Sequence, residues 1–281
     1  MACKGVKEYG TITAQGEIMS TLLKFDKLSN TRDLGGMRTS DGRTIVPGKL
    51  IRSGQLYDIT ESDIRKLSEL VDTVVDLRTE EEKRENPDVQ IPGSSYHYIP
   101  VVQSFTEGVS REEGSVENMI ARLVFNPEGS LNHLRSMYRK FVFSDYSLSQ
   151  YAKFFRILLE DHKKAVLWHC SVGKDRAGTA ALIIEKILGI PDEAIIEDFL
   201  KTEEFLKEDI LKMIAYAKMK TGSDDSRIEQ SMRYLFGPDR SYIETFFAAV
   251  NERFGTFEAF VQAGLGLSDS DLEKLREKYL R

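Results

Sequence analysis

The sequence predicts an α/β fold: a central, mostly parallel sheet flanked by helices and carrying helical insertions. Three observations predict it. Short β-prone runs at 49–53, 73–77, 97–102 and 165–168 alternate with helical patterns, as expected for strands joined by crossover helices. The run Ala165-Val166-Leu167-Trp168 passes through a glycine-containing loop into a helical pattern of Ala180, Leu182, Ile183, Ile184, Ile187 and Leu188. A chain of 281 residues, 41% of them hydrophobic, can also bury one substantial core. We therefore expect a loose N-terminus over 1–20 and a single domain over 21–281.

Within that domain, Asp41-Gly42 between β-prone runs marks a hairpin turn, and the strand 49–53 follows it. Thr60-Glu61-Ser62-Asp63 is a capping box, with Ile64, Leu67 and Val71 on one face of the helix it opens. After the strand 73–77, Thr79-Glu80-Glu81-Glu82 caps a second helix, whose charge run is most simply a solvated face. The strand 97–102 comes next. From 104 to 147 the pattern changes to polar stretches with helical segments around 119–123 and 134–141. A second helical excursion over 203–236 carries Phe205, Leu206, Ile210, Leu211, Met213, Ile214 and Tyr216 at helical spacing, most simply as core. Ser241-x-x-Glu244 and Ser268-x-x-Asp271 cap two closing helices.

A formal net charge of -6 argues against general binding to nucleic acid or anionic membranes, while leaving room for a local basic pocket. The two cysteines, Cys3 and Cys170, give no disulfide framework, which suits a reducing compartment. No apolar run is long enough to span a bilayer, and the N-terminus has no continuous apolar h-region. A soluble, cytoplasmic protein is expected, with secretion lacking a cleaved signal left open. The four histidines are widely scattered, so neither a metal cluster nor a cofactor is expected.

The chemistry sits in His169-Cys170-Ser171-Val172-Gly173-Lys174-Asp175-Arg176-Ala177-Gly178. A strand, a tight loop and a helix start together make an anion site, where loop N–H groups and the helix dipole favour negative charge. Arg176, closing the loop, can grip two phosphate oxygens side by side. Cys170, at the mouth, is expected to ionise more readily than a free thiol of pKa ~8.5 and to act as a nucleophile. A Cys-x5-Arg spacing alone is weak, because a lone intracellular cysteine is usually just buried. The setting strengthens it: His169 directly before, Gly173 where the loop must fold back, and Gly178 where helix and strand pack closely. A nucleotide P-loop fits poorly, since Gly173-Lys174 lacks the earlier glycine and the following Ser or Thr.

With Lys174-Asp175 inside it, this loop resembles the signature of cysteine-dependent protein tyrosine phosphatases. It is similar in particular to an atypical bacterial branch, tyrosine phosphatase family 3, which has tyrosine/serine and phosphoinositide phosphatase members. Two further stretches agree: Asn30-Thr31-Arg32-Asp33-Leu34-Gly35-Gly36 with Ile51-Arg52-Ser53-Gly54-Gln55-Leu56, and Val74-Val75-Asp76-Leu77-Arg78. The likeness runs from about residue 30 to the end of the chain.

The resemblance implies a cysteine-dependent phosphatase fold and a metal-free phosphate monoester hydrolase that works through a phosphocysteine. Cys170 is the expected nucleophile, Arg176 the clamp, and His169 a brace for the loop. Ser171, Val172, Gly173, Lys174 and Ala177 complete the phosphate loop. Asp175 ranks first as general acid. Asp76 ranks second, near the end of a strand where open α/β sheets place ligands, with an ion pair to Arg78 as its alternative. Lys174 is expected as a second positive charge at the rim, able to read an additional phosphate, because lipid phosphatases of the tumour-suppressor type carry a lysine there. Ala177 departs from the pattern, which usually has a hydroxyl residue to assist the departing thiolate, so slow dephosphorylation is expected unless Thr179 or Ser171 substitutes. Helical insertions cover the site in related phosphatases, so 104–147 and 203–236 are candidate lids. Arg32 and Arg52 are expected to brace the sheet. Phosphotyrosine is the leading substrate of this expected dual-specificity enzyme, with phosphoserine/threonine or phosphoinositides as further partners. An inositol-phosphate hydrolase and a low-turnover phospho-ligand binding module are the rival functions.

Overall fold

The computed structural model describes residues 20–103 and 121–281. Cys3, most of the expected loose N-terminus, and the helical start at Met119 lie outside those residues. Ser20 belonged to that loose segment by expectation. It is instead buried, with its hydroxyl donating to Asp198.

Six strands form one sheet: β1 (Thr21–Leu22), β2 (Arg32–Asp33), β3 (Leu50–Ser53), β4 (Val71–Asp76), β5 (Ser95–Tyr98) and β6 (Ala165–His169). Their order is β1-β2-β3-β6-β4-β5, with β3, β6, β4 and β5 mutually parallel and β1–β2–β3 antiparallel. The mostly parallel sheet is therefore present, with β6 at its centre. Period-2 alternation sorts its side chains between two apolar layers. Val74 and Leu167 join Leu67 and Leu56 on one face, while Val75, Val166 and Trp168 join the larger cluster on the other.

Several boundaries differ from the expected ones. The edge strand β5 starts earlier, because polar Ser95 and Tyr96 pair with Thr73 and Val74 although the sequence shows no apolar run there. Beyond it, the Ile99 and Val101 amides still donate to Asp76 and Leu77. Helix α1 (Glu61–Leu70) has only half of its capping box: Thr60 accepts from the Asp63 amide at 3.1 Å. The Asp63 carboxylate turns elsewhere, accepting from the Asp26 and Lys27 amides at 2.7 and 2.9 Å. Helix α2 (Glu80–Glu85) has the full box from Thr79 and Glu82. Its solvated face is correct for Glu80, Glu81, Arg84 and Glu85 but not for Glu82.

After α3 (Pro127–Phe143) and α4 (Asp145–Leu159), β6 leads into α5 (Arg176–Leu188). Helices α6 (Asp192–Leu200), α7 (Thr202–Phe205), α8 (Lys207–Thr221), α9 (Ser226–Phe236), α10 (Arg240–Phe254) and α11 (Asp269–Tyr279) complete the layers. The cap of α10 is Asp239, whose carboxylate accepts from the Ser241 amide at 2.9 Å, so Ser241 lies inside the helix rather than capping it. Ser268 and Asp271 form the expected box. Both excursions contribute to the core in this structure, α3 through Leu134, Tyr138, Phe141 and Val142 and α8–α9 through Ile210, Ile214, Ile228 and Met232. Among the described residues no helix is long and apolar enough to cross a membrane.

A buried charge cluster joins the sheet to α5 and α6. Arg32 and Arg52 lie 3.3 and 3.6 Å from the Asp198 carboxylate, and Glu185 is buried beside them. Burial, helped by the Asp198 charge, pushes the Glu185 carboxyl up to about 8 against the pull of Arg52 and Arg32. The folded state thus keeps a proton that the unfolded chain loses above the ordinary carboxyl range. Stability falls as pH rises toward 8. Glu185→Gln is expected to match the parent near pH 4 and to exceed it above pH 8 by on the order of 5 kcal/mol. Urea unfolding at the two pH values measures this, and an equal offset at both would contradict it.

Candidate active site

Strand β6 ends at His169 and releases the chain into a loop over residues 170–175, which closes where α5 begins at Arg176. Cys170 is buried at the start of this loop. The peptides that follow turn their carbonyls toward the N-terminal part of the chain. Ser171 O accepts from the Gln55 amide at 3.1 Å and Val172 O from Asn30 Nδ2 at 3.0 Å. Gly173 O and Lys174 O accept from Arg52 Nη2 at 2.7 and 3.3 Å. Among the described residues no peptide bond is cis, and in a trans peptide the next N–H points opposite to the carbonyl. The amides of Val172, Gly173, Lys174 and Asp175 therefore face away from those partners. Among the described residues none of the four has a hydrogen-bond acceptor. Gly173 has φ +71°, and a Cβ there would sit 2.7 Å from the Ser53 carbonyl, so both backbone and space require glycine.

Arg176 meets a residue that the sequence placed in solvent. Glu82 accepts from Nη1 at 2.5 Å and Nη2 at 2.8 Å, a bidentate pair, and also accepts from the Ser171 hydroxyl. Burial works against its charge, but Arg176 and Ser171 outweigh burial and hold the carboxyl at about 2. The only sequence signal was its place as last residue of the capping box, where it accepts from the Thr79 amide at 2.8 Å. One carboxylate thus fixes both the start of α2 and the guanidinium.

Asp175 faces the loop interior side of α3: its Oδ1 accepts from Tyr138 Oη at 2.9 Å and lies 3.5 Å from Lys174 Nζ. Tyr138 is fully buried and stacked on Tyr242, so this hydroxyl is a fixed donor. Asp76 is brought close to the loop through His169 but is committed to structure. Its Oδ1 accepts from Arg78 N and Nε, and its Oδ2 from Arg78 Nη2 and Tyr96 Oη, all at 2.8–2.9 Å. Burial opposes its charge, while His169 and Arg78 together hold the carboxyl well below its ordinary range. The ion pair with Arg78 is therefore formed, the alternative that the sequence offered for Asp76. Arg78 also reaches Asp88 at 2.8 Å, and His169 Nε2 lies 3.0 Å from the same Asp88 oxygen. His169, Asp76 and Asp88 have metal-ligand spacing, yet the Arg78 guanidinium already supplies the positive charge between the two carboxylates.

Lys174 is not at the rim. Its side chain is buried, and Nζ donates to the carbonyls of Leu235 and Gly237 at 2.9 and 2.8 Å, at the C-terminal end of α9. Burial pushes its pKa down, with Asp175 opposing. This lysine pins the second helical excursion to the loop, with its Nζ also 3.5 Å from Asp175 Oδ1. Ala177 is buried, its carbonyl accepting from Trp168 Nε1 at 2.9 Å. A cleft of ≈ 360 Å³ flanks the loop, bounded by Ser171, Val172, Tyr57 and, from α8, Ile210 and Met213.

The class of the molecule now follows. A sequence model of the tyrosine phosphatase family matches residues 23–281, and the chain belongs to that family. It is 27% identical over 265 residues to a Cupriavidus necator protein classed as a tyrosine-protein phosphatase, across 92% of this chain and 88% of that one. A tyrosine-protein phosphatase of Nostoc commune is 23% identical over 239 residues, 83% of this chain and 75% of the relative. The triple specificity protein phosphatase PtpB of Mycobacterium tuberculosis is 23% identical over 191 residues, 62% of this chain and 67% of the relative. The chain is a protein tyrosine phosphatase.

Proposed function

We propose that this phosphatase hydrolyses phosphate monoesters, phosphotyrosine foremost, through a phosphocysteine on Cys170. The observation that carries this is the set of four acceptor-free amides at 172–175, between a buried cysteine and a paired arginine. Preorganised donors of this kind stabilise the charge on a transferring phosphoryl group without reorganising during the reaction. Glu82 engages two of the five N–H donors of Arg176, so the guanidinium is held in one plane beside the loop.

In the first step the Cys170 thiolate attacks phosphorus in line, the S–P bond forms and the P–O bond to the leaving group breaks. Asp175 gives its proton to the departing oxygen. In the second step Asp175 takes a proton from water, the water oxygen attacks phosphorus, and the thiolate leaves with inorganic phosphate as product. The relative named for triple specificity supports a substrate range wider than phosphotyrosine alone, with phosphoserine/threonine and phosphoinositides as the classes to test. The burial of Lys174 argues against a lysine-read outer phosphate and so favours phosphopeptides over inositol phosphates. Rapid acid quench with ³²P-labelled substrate in chelator tests the reading: acid-stable label on Cys170 is expected, and a burst with no protein-bound label would overturn it. A panel of phosphopeptides, inositol lipids and inositol phosphates ranks the substrates.

Ala177 offers no hydroxyl to the leaving thiolate, and the nearby Ser171 hydroxyl is already given to Glu82. A hydrogen bond to a charged group contributes roughly 1.5–3 kcal/mol, or on the order of 10–100-fold in rate. Dephosphorylation of the enzyme is thus expected to be slow, and Ala177→Thr to shorten the life of the phosphoenzyme. More trapped label in that variant than in the parent would contradict this.

A further inference from the structure

We propose that Asn30 and Arg52 are positioning residues for the reaction, holding the 171–174 peptides so that their amides are offered to the phosphate. The proposal rests on the phosphate-cradle reading of that loop. A short loop with a glycine at its turn has peptide planes that can rotate at little cost. What fixes them here comes from outside the loop. Asn30 Nδ2 holds Val172 O, while a single Arg52 nitrogen holds Gly173 O and Lys174 O. The Gln55 amide holds Ser171 O.

Each holder is itself fixed. Asn30 has φ +51°, a left-handed conformation that asparagine tolerates better than most side chains. Arg52 lies opposite Arg32 in the β2–β3 register, and both guanidinium groups lie beside Asp198. Arg32 also donates to the Asp198 carbonyl at 2.8 Å, which secures the carboxylate from its own backbone. The same device accounts for Gly178, where a Cβ would lie 2.7 Å from Arg52 Nη2 and push the guanidinium off the loop. Three separate stretches of sequence, around residues 30, 52 and 178, thus serve one geometry.

A brace of this kind acts on the anion site as a whole, independent of the leaving group. Asn30→Asp keeps size and tolerates the same backbone, but presents an oxygen instead of a donor to Val172 O. It is expected to weaken vanadate binding and kcat/KM about 10-fold, equally on phosphotyrosine and on an activated aryl phosphate. Arg52→Lys keeps the charge but not the fork, with a larger loss of both quantities expected. Active sites are counted by burst titration, so a variant that merely folds less well would retain vanadate affinity and turnover per site. Such retention in folded Asn30→Asp would overturn the proposal. Losses confined to the poor leaving group would overturn it too. A parent protein that neither binds vanadate nor forms phosphoenzyme would instead remove the cradle, and the brace with it.

Discussion

Cys170→Ser is expected to lose phosphate release on every substrate by on the order of 10⁴-fold or more, the scale seen when a nucleophile is removed from a concerted site. A serine hydroxyl is almost wholly un-ionised at neutral pH and needs a base to attack. The imidazole next to it in sequence does not serve: the His169 ring lies against Asp88 and the Cys170 carbonyl. Phosphopeptide affinity should survive the substitution, because the amides at 172–175 and the Arg176–Glu82 pair do not depend on the sulfur. Steady-state hydrolysis and a binding titration with the same phosphopeptide separate the two quantities. Turnover within ten-fold of the parent would place the chemistry on another residue.

Asp175→Asn carries the second large effect, and its size depends on the leaving group. A general acid contributes roughly 10²–10⁴-fold where the departing oxygen needs a proton. Loss of that order is expected on phosphotyrosine, and little loss on an activated aryl phosphate whose leaving group departs unaided. The substitution is clean, since the asparagine oxygen can still accept from Tyr138 Oη and keep α3 in place. Equal losses on both substrates would remove Asp175 from the acid role. Asp76→Asn provides the contrast. It weakens a fully buried partner of Arg78, so its expected cost is in stability, on the order of 3 kcal/mol, with no dependence on leaving group.

Much of this site is readable along the chain because it is local. Ala165 to Trp168 are apolar and short, Gly173 permits the turn, and the pattern from Ala180 onward is helical, so strand, loop and helix follow from neighbours in sequence. Cys170 and Arg176 are carried by that one segment. The half-formed box at Thr60, the cap at Asp239 in place of Ser241, and the early start of β5 show where local signals were outweighed. At Thr60 the Asp26 and Lys27 amides took the Asp63 carboxylate, before α10 the Asp239 carboxylate took the Ser241 amide, and at β5 a strand partner engaged the polar residues.

The side chains around the loop were decided differently. Glu82 looks like one of several solvated glutamates until packing brings α2 against Arg176, 94 positions away. Lys174 looks like a surface cation until α9 ends over it and supplies two carbonyls. Asn30 and Arg52 are legible as a motif, but their object, the carbonyls of a loop 142 and 121 residues on, is not. The chain by itself determined the strand–loop–helix that presents a cysteine and an arginine, because backbone propensity and apolar periodicity act between near neighbours. Only the tertiary structure decided which carboxylate holds the arginine, which way the loop peptides face and where the lysine goes, because a buried polar group takes whatever partner packing brings within about 3 Å.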